Sequence, residues 1–263
     1  MTLRSPKVNI IKNTDDEGPL YYKGLHYGHT RAGKTYLAAT SAAVEALSPV
    51  LLVDCGNSRD TVMGEDFGSP IDVVVVSSVD ELNDVFSWLS DGAYQQYGMI
   101  IVDELDSLYE ILMRDRLDHA VKEYRSKGEQ RDPNRAYLED YGIVYTQMNF
   151  AVRLLIDLKT NIIVTSWAER DKDPITGIEK LYPSLPGKLA NVVPAKFGVV
   201  CYQTAEGART LRKDLAERGE YIAHFRTTGA FIAGVRGKTR AERVGESITN
   251  PTMAEIYKRW KGE

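Results

Sequence analysis

Apolar residues along the chain fall into two patterns. The first is a set of short compact runs at 50–53, 72–76, 99–102, 162–164 and 199–202. Each has the length of a strand, and none alternates strictly with polar residues. They predict strands buried on both faces of a mainly parallel sheet. Two further short strands are expected at 7–12 and 21–27, with the turn-like NTDDEGP between them.

The second pattern has helical spacing. Residues 35–47 are alanine-rich, with Leu37, Ala38 and Val44 on one side, and Ser48-Pro49 stops them. Residues 79–89 repeat Leu82, Val85, Phe86 and Leu89. Two longer helices are predicted at 105–124 and 137–158, the second turning Val144, Met148, Val152, Leu155 and Ile156 inward. The charged, turn-rich RSKGEQRDPN between them is expected to be mobile. Residues 251–261 predict a terminal helix, with Asn250 as its cap and Pro251 in its first turn. Strands alternating with helices give an α/β class with a mainly parallel sheet sandwiched by helices.

One domain spanning 1–263 is expected, with its core at about 21–204. A polar insertion is read at 168–190, a basic β-hairpin region at 206–245 and the terminal helix after it. No apolar run approaches about 18 residues, so no membrane span or membrane partner is expected. The N-terminal residues lack a long apolar core, so no signal peptide is expected and the reading is cytoplasmic. Cys55 and Cys201 sit in or beside apolar runs, as buried thiols of a reducing compartment do. The net charge is −4, but residues 206–245 carry +4 against −8 for the remainder. A basic arm on an acidic body suits either a polyanion partner or a solvated hairpin.

The chemistry is concentrated at YGHTRAGKTY, residues 27–36. Gly28-x-x-x-x-Gly33-Lys34-Thr35 is a complete phosphate-loop pattern between a predicted strand and a predicted helix. Glycines let backbone N–H groups curl around phosphate oxygens, and the following helix adds its free N–H groups. Lys34 would reach the β- and γ-phosphates and the Thr35 hydroxyl would ligate Mg²⁺. His29, Thr30, Arg31 and Ala32 fill the loop and Tyr36 follows it, so 28–36 is the candidate nucleotide-binding segment. Arg31 reads as a solvent-facing loop residue.

A strand ending in acids should complete such a site. MIIVDE, residues 99–104, supplies Asp103 to hold Mg²⁺ and Glu104 to polarise the attacking water. The strand at 162–164 runs on into Thr165, Ser166 and Trp167. Thr165 or Ser166 is a candidate phosphate sensor or simply ends the strand, and Trp167 reads as packing.

With these residues in view, the chain resembles the phage-encoded AAA/RecA-like P-loop ATPases, a group of phage nucleotide-binding proteins related to single-strand annealing and recombination ATPases. The resemblance runs over about 21–238 and rests on the order of phosphate loop, VLLVDCG, IIVDELDSL, EDYGIVYTQM, IIVTSWAE and DPITG…YPSLPGK. Its more particular feature is Thr165 and Glu169 followed by Pro186-Gly187-Lys188. It implies a RecA-like core, ATP and Mg²⁺, and rings or filaments in which a neighbouring chain lends a cation to the γ-phosphate. Arg236 is the candidate for that cation and Lys238 the reserve. One position departs from the pattern. Asp54-Cys55-Gly56 has glycine where RecA-like proteins carry a water-activating glutamate. Either Glu104 takes over, or ATP acts mainly as a binding switch.

The expected function is an Mg²⁺-dependent ATPase in phage recombination, annealing or replication, oligomeric on single-stranded DNA. A single-strand-binding or other replication protein is a further expected partner, and the host cytoplasm the expected compartment. Two alternatives stay open: a nucleotide-gated scaffold or loader with slow turnover, and a P-loop phosphotransferase with 170–188 as its lid.

Overall fold

The computed structural model describes residues 20–172, 177–206 and 220–263. The elements run β1 (Lys23–Gly28), α1 (Lys34–Ala39), β2 (Val50–Asp54), β3 (Ile71–Val75), α2 (Val79–Ser90), β4 (Met99–Asp103), α3 (Leu105–Ser126) and α4 (Leu138–Asp157). They continue with β5 (Asn161–Lys172), β6 (Glu179–Pro183), α5 (Leu189–Val192), β7 (Val199–Glu206), β8 (Glu220–His224), β9 (Gly234–Val235), α6 (Lys238–Val244), β10 (Ser247–Thr249) and α7 (Met253–Lys261). The sheet order is β10-β8-β7-β1-β5-β4-β2-β3. From β7 to β3 every neighbouring pair is parallel, as the apolar runs predicted.

Alternate residues of those runs serve opposite faces. Leu51, Val53, Ile100, Val102, Ile162 and Val164 pack against α2, α3 and α4. Val50, Leu52, Met99, Ile101 and Ile163 join Leu37, Ala38, Ile256 and Trp260 on the other side. A strand covered on both faces has no polar position to offer, which is why the runs at 50–53 and 99–102 do not alternate. Contrary to the expectation for 72–76, β3 lies at the sheet edge with Asp72 and Val75 exposed. Because the strands are parallel, their C-terminal ends lie along one edge. Gly28 is level with Trp167 and Gln203, and Asp54 with Asp103.

Several expectations change. The helix expected at 35–47 is α for only six residues, then becomes 3₁₀ turns at Thr40–Ala43 and Glu45–Leu47. Thr40 is the cause at the break. Its hydroxyl donates back to the Leu37 carbonyl at 2.6 Å and accepts from the Met253 N–H at 2.8 Å, where α7 docks. The cap of α7 is Thr252, whose hydroxyl accepts from the Glu255 N–H. Asn250 instead takes a left-handed backbone, φ 48°.

The break after α3 is anchored where mobility was expected. Buried Arg131 pairs with buried Asp140 and with Glu139, and lies over the rings of Tyr124 and Tyr137. The polar insertion begins as a continuation of β5, which projects to Lys172 and pairs antiparallel with β6. In the basic region β7 and β8 pair antiparallel, but Lys238–Val244 is helical, bracketed by Gly237 and Gly245. The strand expected at 7–12 and residues 207–219 of the basic region lie outside the described residues. Cys201 is buried and Cys55 half-buried, both as free thiols. Among the described residues no helix is long and apolar enough to cross a membrane.

Candidate functional site

The phosphate loop leaves β1 at Gly28, where a Cβ would collide with the Gln203 carbonyl and come within 3.2 Å of the Ala32 Cβ. Gly33 turns into α1 with φ 80°, the left-handed region that glycine enters without strain. His29, Thr30 and Arg31 are exposed on the loop, and Arg31 adopts φ 65°. Lys34 is only 7% exposed. Its ammonium donates to the carbonyls of Gly28 at 3.0 Å and His29 at 3.1 Å. Burial lowers the Lys34 pKa, and the carboxylates of Asp103, Asp106 and Glu104 push it back up. Lys34 is therefore a nearly buried cation facing acids, with two loop carbonyls as its hydrogen-bond partners. Tyr36, exposed, leans on the Phe67 ring.

Asp103 is fully buried at the end of β4. The Thr35 hydroxyl donates to its carboxylate at 2.9 and 3.0 Å, and the Thr165 hydroxyl at 2.5 Å. Ser58 Oγ reaches it as well and touches Asp54 Oδ1 at 3.2 Å. Asp54 is held by the N–H groups of Ser58 and Arg59. Every ligand atom here is oxygen, the set a hard divalent cation prefers. Among the described residues no three His, Cys, Asp or Glu side chains form a metal cage. What Thr35 and Asp103 offer is a hydroxyl and a carboxylate, the kind of set Mg²⁺ takes from a protein while phosphates and waters fill its remaining positions.

Glu104 follows with φ 69°, unusual for a non-glycine residue, where the chain turns from β4 into α3. Its N–H donates to Thr165 Oγ1 at 2.8 Å. Its carboxylate accepts from Ser107 Oγ at 2.9 Å and from the Trp167 indole N–H at 3.1 Å. Partial burial raises its pKa. The departure at Gly56 now has a spatial meaning. A Cβ built on Gly56 would overlap the Glu104 carboxyl and lie 2.8 Å from its Cγ. The glycine vacates the volume that the Glu104 side chain fills. Gly56 lies outside the positive-φ residues, so a side chain there meets a steric problem and no backbone one. Gly56→Val is therefore expected to displace Glu104 and lower phosphate release from Mg·ATP by about 10²-fold with ATP affinity retained. Wild-type turnover in that variant would show that the seat is irrelevant.

The two sensor candidates differ in placement. Thr165 bridges Asp103 and the Glu104 backbone. Ser166 is one step removed, bonded to the Trp167 carbonyl and to Asp106. Asp106 was not foreseen. Its carboxylate accepts from the Trp167 N–H at 3.0 Å, and burial raises its pKa. Trp167 was expected to pack, yet it is 45% exposed and holds Glu104.

These residues border a cavity of about 680 Å³, within the ~300–1,000 Å³ of small-molecule sites. The loop, α1, Glu104, Trp167 and Gln203 line it. Gln203 is fixed by a 3.2 Å bond to His26, which burial keeps neutral by driving its pKa down to about 3. Tyr221 and Ile222, on β8 beside β7, and residues 250–252 complete the lining. Arg236 is elsewhere. It is exposed, donates to the Ala195 carbonyl at 2.8 Å, and sits beside Gly198 where β7 begins. That is the opposite end of the sheet from Gln203 and the loop, about 3.3 Å per residue away along the strand. Lys238 opens α6, 3.9 Å from Glu242.

No curated protein matches this chain. Among solved structures, the crystal structure of the RadB recombinase is similar at 12% identity, covering 90% of each chain with a TM-score of 0.46. A family model described as an AAA domain matches residues 20–237. That span holds the phosphate loop, the buried acid of β4 and the hydroxyl end of β5, and the chain belongs to this AAA-domain family.

Proposed function

We propose that this protein is an Mg²⁺-dependent ATPase that assembles with copies of itself on single-stranded DNA and serves phage recombination, annealing or replication. The observation that carries the reading is that Lys34, Thr35 and Glu104 border one cavity at the C-terminal edge of the parallel sheet, with buried Asp103 bonded to Thr35 behind them. Loop N–H groups and Lys34 bind the phosphates, and Lys34 exchanges the Gly28 and His29 carbonyls for phosphate oxygens. Glu104 orients the attacking water and takes its proton, so that ATP and water give ADP and phosphate. Mg²⁺, when bound, supplies charge neutralisation among the phosphate oxygens, and Thr35 Oγ1 and the Asp103 carboxylate are the groups to hold it. Thr165 ties the Asp103 carboxylate to the Glu104 backbone, so a change at one is felt at the other.

In this reading Arg236 is the cation lent in trans: exposed and far from its own loop, it could reach a γ-phosphate only across a chain boundary. DNA is supported by the basic character of 206–245. The test is phosphate release from Mg·ATP, with and without single-stranded DNA, over a range of protein concentrations, for wild type and Arg236→Ala. The reading expects a specific rate that rises with DNA and with protein, and an Arg236→Ala defect greatest where the wild type is assembled. A flat rate unaffected by DNA would remove the assembly and DNA parts of the reading.

A further inference from the structure

Beside the phosphate loop the cavity is bordered by two segments of the C-terminal region, Tyr221–Ile222 and residues 250–252. Tyr221, on β8, lies against the loop: a Cβ on Gly33 would be 3.1 and 3.2 Å from its ring carbons. The ring is nevertheless 45% exposed and borders the cavity. An aromatic side chain resting on a phosphate loop with open surface beside it is a stacking platform. Asn250 and Pro251 stand next to it. Asn250 donates its N–H to the Tyr221 carbonyl at 2.6 Å, and its Oδ1 accepts from the Tyr221 N–H at 3.1 Å. Those paired bonds fix the two residues as one unit, and the left-handed φ of Asn250 is the local cause. The unit is tied to α1 through the Met253 N–H and Thr40. Asn250 and Pro251 lie beyond residues 20–237, the span shared with the AAA-domain family.

We infer that Tyr221, Asn250 and Pro251 form a nucleobase subsite that takes purines by stacking and accepts adenine and guanine alike. The inference rests on the nucleotide reading above and adds the base to it. The Tyr221 N–H engages the Asn250 amide oxygen, so the amide NH₂ is the function left for a ligand. Thr252 Oγ1 accepts from the Glu255 N–H and keeps its hydroxyl hydrogen to donate. Donors of this kind meet N3 or N7, acceptors that both purines carry. Neither group reads the exocyclic amino or carbonyl position that tells adenine from guanine. A pyrimidine offers a smaller ring to stack on Tyr221.

The experiment is equilibrium binding of Mg²⁺ complexes of ATP, GTP, CTP and inorganic tripolyphosphate to the full chain. ATP and GTP are expected to bind within about threefold of each other, and both about tenfold or more tighter than CTP or tripolyphosphate. Tyr221→Ala should remove that advantage, so that in the variant ATP and GTP bind no tighter than tripolyphosphate. Tyr221→Phe should recover most of the loss, and Asn250→Gly, which tolerates the left-handed backbone, should weaken both purines by a smaller factor. Equal wild-type affinities for ATP and tripolyphosphate would overturn the subsite, as would unchanged purine binding in Tyr221→Ala or strong preference for one purine. Failure of wild type to bind any triphosphate would instead overturn the nucleotide reading beneath it.

Discussion

Lys34→Ala is expected to abolish measurable ATP turnover, lowering phosphate release by about 10³-fold through loss of the charge aimed at the phosphates. Lys34 is the cation at the head of the loop, nearly buried, and it faces Asp103, Asp106 and Glu104. Removing it leaves those carboxylates uncompensated where a polyphosphate must enter. Affinity should fall along with turnover, because the same charge serves the ground state. The thermal midpoint of the variant separates this from unfolding. The ammonium bonds only the Gly28 and His29 carbonyls, so the sheet and both cores retain their contacts. Normal phosphate release from a folded Lys34→Ala protein would remove the loop from the account.

Glu104→Gln is expected to behave differently. The amide has the shape of the carboxyl and can still accept from the Trp167 indole, so the seat over Gly56 stays filled. What is lost is the capacity to take a proton from water. ATP binding should survive while phosphate release falls by about 10²–10⁴-fold. The measurement is affinity and single-turnover phosphate release on the same preparation. A variant that turns over like wild type would place the base elsewhere. A variant that loses binding as well would make Glu104 a binding residue.

The parts of this fold that could be read from the sequence are those where one residue's neighbours are its own chain neighbours. The compact strands at 50–53 and 99–102 announce burial on both faces, and the Gly28–Thr35 spacing announces its loop. The site's remaining parts depend on distant pairs. Gly56 was visible as a missing glutamate, but not as room for Glu104, because that contact joins the ends of two adjacent strands. Trp167 looked like a core residue, since nothing local shows that β5 runs on past the sheet edge as an arm. Asn250 and Thr252 both have capping side chains. The Thr252-x-x-Glu255 pattern was the signal that favoured Thr252, and reading it would have freed Asn250 for its role beside Tyr221. The mobile break was misjudged because RSKGEQRDPN is locally all turn and charge. Its anchor, Arg131 to Asp140, needs α4 in place before it exists.

The account stands on a nucleoside triphosphate bound at Gly28–Thr35. The most direct test is calorimetric titration of a slowly hydrolysed ATP analogue, with Mg²⁺, into wild-type protein and Lys34→Ala. Saturable binding at one site per chain is expected in the wild type and none in the variant. Absence of binding to the wild type, or equal binding to both proteins, would contradict it.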